Sequence, residues 1–435
     1  MKTEVFIRRP ILRTILNSHG KEILKKYVIN SWKLSETKPD LVFLNVLKDQ
    51  LLKIYDQETA GQAYKQMLEK PLVSTIDHLG VWNHPIFVNS ALIYSLHFSP
   101  NELAITLATE SVSLNNTSSW SGSLLKHDTS ISLRRYSFFP DKLKTLPVFS
   151  APVITQHNTD KINKVSNGIL KNLLQKIEVN EASNFSAQTS KMSTLFWKLV
   201  FPSAPKLIYA PLETVVIAYL LEVFKNSSHI LSKLILNGEG RELWGKYFSN
   251  DHTFLFWEIN KYGKRIPIRK LSKTSEEIQE LLKARKIYPS STLCFAVLLQ
   301  AGIACVGGFT QTTWLTKTKA NVIKLFTELA ATKDILEIVS KVPTANFAEC
   351  ALVWLKIEGV FVNPSGVDLF LLRKDLYSKY SELASFLTLE QAINLAIPTI
   401  YNIVVPKLEQ NIDWDAINLQ NQLIQDYKIE DIIKN

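Results

Sequence analysis

Short apolar runs that end in polar residues most constrain how this chain can fold. Residues 72–76 form a β-prone run that ends at the polar turn 77–80. Residues 85–96 then show a helical pattern with proline in the first turn, and 103–108 is a second apolar run, which ends at Thr109 and Glu110. Strands that alternate with helices in this way predict an α/β fold with a mainly parallel sheet flanked by helices.

The rest of the chain is predicted to extend this core at both ends. Helical spacing over residues 1–70 predicts a helical N-terminal segment. Residues 71–320 are expected to form the α/β core, with a polar excursion near 155–193 that is rich in Asn, Ser, Thr and Lys. Residues 321–435 are expected to be mainly helical. Further strand patterns lie at 206–209 and 254–259.

Charge and apolar patterning limit the class of partner. The formal net charge of +10 favours an anionic partner. Aromatic residues do not interleave with the basic run at 261–270, so we expect that the protein does not bind nucleic acid. The uncharged stretch 287–316 is long enough to span a membrane, but it contains Pro289, Gln300 and the pair Gly307-Gly308. It therefore predicts a helix, a turn and a buried strand, and a membrane-associated protein is the weaker alternative.

The cysteines and the first residues indicate a cytosolic protein. Cys294, Cys305 and Cys350 are odd in number and stand in apolar context, which is typical of reduced thiols. Residues 1–19 contain arginines but no apolar stretch of the kind that a secretory signal requires. We therefore expect a cytoplasmic location.

The densest polar group follows the first predicted strand. The carboxyl ends of parallel strands are where open α/β sheets bind ligands, because helix N-termini point their N–H groups outward there. Two imidazoles with a neighbouring carboxylate and amides predict acid–base chemistry. The alternative is a strand–helix corner whose polar side chains cap the backbone. A metal site from Asp77, His78 and His84 lacks a recognised ligand spacing, so we expect no metal. The candidates are Asp77, His78, Gly80, Asn83, His84 and Asn89.

A second candidate group follows the second predicted strand. Glu110, Asn115 and Asn116 come after the run 103–108, so they are predicted to face the same crevice. Asn residues are also common in turns, which is the alternative interpretation.

The third candidate is the pair Gly307-Gly308, followed by Thr310 and Gln311. Adjacent glycines let the backbone approach a ligand closely, and the following helix would offer N–H groups to an anion. A tight packing turn is the alternative. The segment is not a Walker motif, because no lysine follows the glycines.

Residues 76–87 resemble the early motif of the BshC family, the putative cysteine ligases of bacillithiol synthesis. That family carries Gly-Gln-Gln-x-Gly-Leu-x-x-Gly-Pro-Leu-Tyr. Gly80 and Pro85 match, and Ile86-Phe87 keeps the character of Leu-Tyr. Asp77-His78 stands in place of the paired glutamines, and His84 in place of a glycine.

Residues 304–314 are similar to the family's second glycine motif, in which Gly-Gly-Pro-Gly-Glu precedes an aromatic residue. Gly307-Gly308 matches, Gln311 takes the place of the glutamate, and Trp314 that of the tyrosine. The family's upstream Arg-Pro and Gln are not kept around Thr292 and Ala296. The resemblance implies a Rossmann-like core with a helical appendage and a cytosolic bacterial small-molecule enzyme. It also implies an altered substrate, because the glutamines and Arg-Pro are lost.

These observations predict a ligase- or transferase-like enzyme that joins or transfers small polar, anionic metabolites. The alternative is a non-catalytic metabolite-binding or partner protein on the same fold. The cofactor and the oligomeric state are left open. The predicted catalytic residues are His78, His84, Asp77 and Glu110. The predicted substrate-binding residues are Gly80, Asn83, Asn89, Asn115, Asn116, Gly307, Gly308, Thr310 and Gln311.

Overall fold

A computed structural model describes residues 1–116, 119–248, 254–269, 271–406 and 416–430. Its strands are β1 (Leu72–Ser74), β2 (Leu103–Ala108), β3 (Ser123–Thr129), β4 (Ser132–Ser137), β5 (Lys206–Pro211), β6 (Phe256–Ile259), β7 (Arg265–Pro267), β8 (Ile287–Pro289), β9 (Ala304–Gly307), β10 (Asn346–Phe347), β11 (Leu355–Ile357) and β12 (Val360–Val362).

The helices up to β5 are α1 (Lys2–Arg8), α2 (Pro10–His19), α3 (Leu24–Lys26), α4 (Leu41–Leu52), α5 (Gln57–Glu69), α6 (Pro85–Ser95), α7 (Gln156–Val165), α8 (Lys171–Ile177) and α9 (Phe185–Val200). Those after β5 are α10 (Leu212–Val223), α11 (Ile230–Leu236), α12 (Gly238–Tyr247), α13 (Ser275–Lys283), α14 (Ser291–Gln300), α15 (Phe309–Glu328), α16 (Lys333–Lys341), α17 (Gly366–Leu372), α18 (Tyr377–Phe386), α19 (Leu389–Val404) and α20 (Ala416–Asp426).

The centre of the fold is a parallel sheet. Within the described residues it has five strands in the order β10-β9-β1-β2-β5. The chain moves outward from β1 through β2 to β5, and then returns to the other side of β1 with β9 and β10. The direction of winding therefore reverses between β1 and β9. The predicted α/β class, with a mainly parallel sheet flanked by helices, is confirmed.

Apolar side chains cover both faces of this sheet. Leu72 and Ala104 belong to one core cluster, whereas their neighbours Val73 and Ile105 belong to the other, because successive strand residues point to opposite faces. Helices α6, α9 and α19 contribute side chains to the first cluster, and α4, α10 and α14 to the second. Burial on both faces explains why β2 is apolar at nearly every position.

Three elements differ from the sequence pattern. The strand predicted at 254–259 is β6, which pairs antiparallel with β7 and β8 in a separate small sheet. The edge strand β10 lies in the region expected to be helical, and its two residues are too few to show a strand pattern. The hairpin β3–β4 was not predicted, because polar and charged residues occupy most positions of both strands.

The uncharged stretch 287–316 folds as β8, α14, β9 and the start of α15. This confirms the predicted order of helix, turn and buried strand. Among the described residues, no helix has both the length and the apolar character needed to cross a membrane.

The N-terminal helices dock on the C-terminal part of the chain. The Leu24 N–H donates to the Leu387 carbonyl, and the Leu389 N–H donates to the Glu22 carbonyl, at 2.8 and 2.9 Å. The Lys2 ammonium also lies 2.6 Å from the Glu390 carboxylate. Helices α1 and α19 thus pack together although they are far apart in sequence.

Gly80 packs its backbone against another segment, which generates a stability prediction. A Cβ atom at Gly80 would lie 2.6 Å from the Ser121 Cα, so Gly80→Ala forces the two backbones apart. We expect it to lower the free energy of unfolding by about 1–3 kcal/mol, as overpacking does elsewhere, measured by urea denaturation.

The matched control is Gly61→Ala in α5, where a Cβ meets no atom within 4 Å. Alanine is the better helix former, so this variant should gain about 0.5–1 kcal/mol. An unchanged urea midpoint for Gly80→Ala would contradict the packing argument.

Candidate functional site

A cavity of about 370 Å³ lies at the carboxyl edge of the sheet, where the strand order reverses between β1 and β9. Open α/β sheets bind ligands at such a reversal, and the volume suits a small molecule. The polar side chains that line it are Thr75, His78, Thr109, Ser291, Thr310, Gln311 and Glu349.

The first turns of α6, α14 and α15 all contribute to the lining. Phe87 comes from α6, Ser291 from α14, and Phe309 from α15. A helix N-terminus carries about half a positive charge, because its first N–H groups have no acceptor within the helix. The three helix N-termini therefore place partial positive charge at the cavity, although no Lys or Arg of the described chain lines it.

His78 presents an imidazole that is neutral at pH 7. Its backbone forms a parallel bridge with Thr109, and its ring stands nearly edge-on to Phe87, with 5.6 Å between the ring centroids. Burial, together with the positive charge of Arg265 on β7 as the smaller cause, lowers the pKa of His78 to about 4. The Nδ1 atom is buried and has no hydrogen-bond partner among the described residues. His78 can therefore accept a hydrogen bond or a proton from a bound molecule.

Glu349 adds a carboxyl group, whose pKa burial shifts in the direction opposite to that of His78. It follows β10, and its Oε2 atom accepts a 2.9 Å hydrogen bond from the Phe309 N–H at the start of α15. A Cβ atom at Gly308 would collide with this oxygen, so the close approach requires glycine there. Burial raises the pKa of Glu349 to about 8, which leaves the group mostly protonated at pH 7.

Glu349 was not predicted as a site residue. Asp77 and Glu110 were predicted because each is a polar residue that follows an apolar run. Glu349 does not show this signal. Because β10 has only two residues, Asn346 and Phe347, no strand pattern preceded Glu349.

The glycine pair and the residues after it are placed at the cavity. Gly308, Thr310 and Gln311 line it, and the Gln311 amide donates to the Thr75 hydroxyl. Gly307 ends β9 beneath the Gln311 side chain, where a Cβ would lie 3.2 Å from the amide carbon. Together with His78, four of the predicted residues therefore line one cavity.

The two predicted carboxylates lie elsewhere. Asp77 is buried and accepts a 2.6 Å hydrogen bond from the Tyr209 hydroxyl, and burial raises its pKa to about 7. Glu110 accepts from the Thr214 backbone and hydroxyl, while Glu213 accepts from the Glu110 N–H. This reciprocal bonding links the end of β2 to the start of α10. Burial raises the pKa of both glutamates.

Asn83 and Asn89 use their side chains to hold backbone. Asn83 is fully buried and accepts from the Leu125 N–H at 2.6 Å. Asn89 accepts from the Leu352 and Val353 N–H groups, each at 2.7 Å. Neither side chain lines the cavity described above.

The remaining predicted residues also lie outside the lining. Gly80 packs on Ser121, as described. His84 is the N-cap of α6, and its Nδ1 accepts from the Ile86 N–H at 3.3 Å. Asn115 and Asn116 lie at a turn, where the Asn116 N–H donates to the Ser113 carbonyl and the Asn115 N–H to the Lys144 carbonyl. This turn matches the alternative interpretation of those two residues.

A larger groove, of about 1020 Å³, lies beside α9 and the start of β5. Three of its four lysines, Lys53, Lys198 and Lys206, are exposed, and among its three carboxylates Asp56 caps α5 by accepting from the Thr59 N–H. The groove does not bring together a buried acid and a buried base. The cavity at the carboxyl edge is therefore the better candidate site.

No three His, Cys, Asp or Glu side chains of the described chain are close enough to hold a metal ion. Comparison of the chain with protein-family models, with curated proteins and with solved structures finds no match.

The buried carboxyl of Asp77 predicts a pH-dependent stability. Its pKa is about 7 in the folded protein and about 3.9 when exposed, so the folded state keeps a proton that the unfolded chain loses between these values. The contribution of Asp77 to stability is therefore full below pH 4 and falls as pH rises to 7, by up to about 1.4 kcal/mol per pH unit. The Asp77→Asn variant lacks this pH-dependent loss of stability. Its free energy of unfolding, measured relative to the parent protein by urea denaturation, should therefore rise between pH 5 and pH 7.

Asp56→Asn is the matched control. The Thr59 N–H lowers the pKa of Asp56, so ionisation of this side chain favours the folded state and the relative stability of the variant should not rise with pH. Identical pH trends for the two variants would contradict the assignment.

Proposed function

We propose that this chain is a small-molecule enzyme of the ligase or transferase type, which joins or transfers polar metabolites in the cavity at the carboxyl edge. The observation that carries the proposal is the pair of titratable groups in one cavity. His78 is a neutral base and Glu349 a protonated acid at pH 7, because burial disfavours the charged form of each. Groups whose pKa values are driven apart in this way serve as base and acid.

The two groups suit a transfer between metabolites. The attacking group loses its proton to His78 as the new bond forms, and the departing group takes the proton of Glu349 as the old bond breaks. Each side chain then holds the proton state opposite to the one it began with, and a second proton exchange restores both.

The anionic part of the metabolite is proposed to lie near the start of α15. The Phe309 N–H already donates to the carboxyl of Glu349, but the N–H groups of Thr310 and Gln311 have no acceptor within the helix. These groups and the neighbouring helix ends attract negative charge, which supports the role proposed for the glycine pair.

We also propose a Rossmann-like core related to the BshC family, acting in the cytosol. Numbered along the chain, the sheet order reads 3-2-1-4-5, which is the order of the Rossmann fold without its sixth strand. The two motifs that resemble the family lie on either side of the reversal, at His78 and at Gly308, and both contribute to the cavity. All three cysteines are buried free thiols, which supports a reducing compartment.

A non-catalytic metabolite-binding protein is the second candidate. One observation favours it: Asp77, Asn83, Asn89 and Glu110 all direct their side chains to structural hydrogen bonds. In that case metabolites would stabilise the protein without being converted.

The test is turnover of metabolite pools by the purified protein across pH. We expect activity to rise as His78 loses its proton near pH 4 and to fall as Glu349 loses its own near pH 8. Glu349→Gln and His78→Ala should each lower kcat by about 100-fold or more, the usual worth of general acid–base catalysis.

His84→Asn is the matched control, because asparagine also caps helices and His84 lies outside the lining; its kcat should stay within about threefold. Unchanged turnover in both cavity variants would refute the acid–base pair. Thermal stabilisation by a metabolite without turnover would instead support the binding protein; at a hundredfold Kd the gain is about 2.7 kcal/mol.

A further inference from the structure

Phenylalanine and tryptophan side chains line the cavity beside its polar groups. Phe87, Phe295 and Phe309 are largely buried, and they come from three different helices, α6, α14 and α15. The rings of Phe295 and Trp314 meet nearly at right angles, with 5.1 Å between their centroids. Aromatic rings prefer such edge-to-face and offset contacts, so a flat ring in the cavity would extend an arrangement already present.

The polar groups of the lining carry no charge at neutral pH. Gln311 and Thr75 are neutral, the imidazole of His78 is unprotonated, and the carboxyl of Glu349 holds its proton. A charged group of a ligand that lies deep in the cavity would therefore meet no lining side chain of opposite charge in the described chain. The free energy needed to remove that charge from water would then not be offset. The inner part of a ligand is better uncharged.

A positive side chain stands beside the cavity at Thr310. Arg9 lies between α1 and α2, and its Nη2 atom donates to the Thr310 hydroxyl at 3.4 Å. Its Nε atom is buried and has no hydrogen-bond partner among the described residues. Thr310 is exposed and lines the cavity, so Arg9 lies at the entrance of the cavity.

We propose that the metabolite bound in this cavity is an aromatic acid. Its flat ring lies among Phe87, Phe295 and Trp314, and its anionic group stays at the mouth beside Arg9. The inference rests on the proposed function in one respect, that this cavity is the ligand site. It adds the substrate class, which the acid–base pair does not specify.

The first experiment compares matched probes by isothermal titration calorimetry at pH 7. The probes are 2-naphthoate, its uncharged analogue 2-naphthamide, and its saturated analogue decalin-2-carboxylate. We expect 2-naphthoate to bind about tenfold more tightly than either analogue, since ring contacts and one charge-assisted hydrogen bond are each worth a factor of this order.

Variants then assign the two preferences to residues. Trp314→Leu should remove the preference for naphthoate over the saturated acid, whereas Trp314→Phe keeps a ring and should retain most of it. Arg9→Gln should reduce the affinity for naphthoate to that for naphthamide and leave naphthamide binding unchanged. Arg13→Gln is the control, because Arg13 is an exposed arginine on the neighbouring helix α2 and does not line the cavity.

Three results would overturn the inference: equal binding of naphthoate and the saturated acid, a preference that survives in Trp314→Leu, or no binding of naphthoate. If Trp314→Leu fails to fold, as judged by its melting curve, Phe295→Leu takes its place with the same expectation. The test is separable from that of the proposed function. Loss of turnover in His78→Ala and Glu349→Gln without any aromatic preference refutes only the substrate class. Aromatic preference with normal turnover in those two variants refutes only the acid–base pair.

Discussion

Burial of both faces of the parallel sheet is the constraint on which the rest of the structure depends. Strands β1, β2 and β9 are buried along their whole length, so they have no solvent-facing side on which to carry polar side chains. Polar residues appear instead where each strand ends. Because the strands are parallel, these ends share one edge, and residues far apart in the chain, such as His78 and Gly308, meet there. The composition of the site thus follows from the packing of the core.

The same burial sets the chemistry of the cavity. Removal from water disfavours the charged form of any group, so it lowers the pKa of the imidazole of His78 and raises that of the carboxyl of Glu349. A single physical cause therefore yields a base and an acid side by side. The electropositive helix ends around them attract an anion without placing a lysine or arginine in the lining.

Much of the fold could be predicted from sequence because the signals were local. The apolar runs gave the positions of β1, β2 and β5, and the polar residues after them indicated the correct edge of the sheet. His78, which lines the cavity, was predicted for that reason, whereas Gly308, Thr310 and Gln311 were predicted from the glycine pair at the end of β9. The use of Asn83 and Asn89 could not be predicted, because their backbone partners are 42 and 263 residues away in the chain. Glu349 was missed because the strand before it is too short to show a period. The strand predicted at 254–259 is present as β6, but its residues do not reveal with which strands it pairs.

The docking of the first helices on α19 has a consequence for synthesis of the chain. The backbone partners of Glu22 and Leu24 are residues 389 and 387, so these helices emerge from the ribosome long before their packing surface exists. At about 5–20 residues per second, the wait is roughly 20 to 80 s. During that time α1 and α2 can contact each other, but the packing of both helices on α19 has to wait until the C-terminal part of the chain is made. These helices are thus made first, although their packing on α19 is completed only when the C-terminal part of the chain is present.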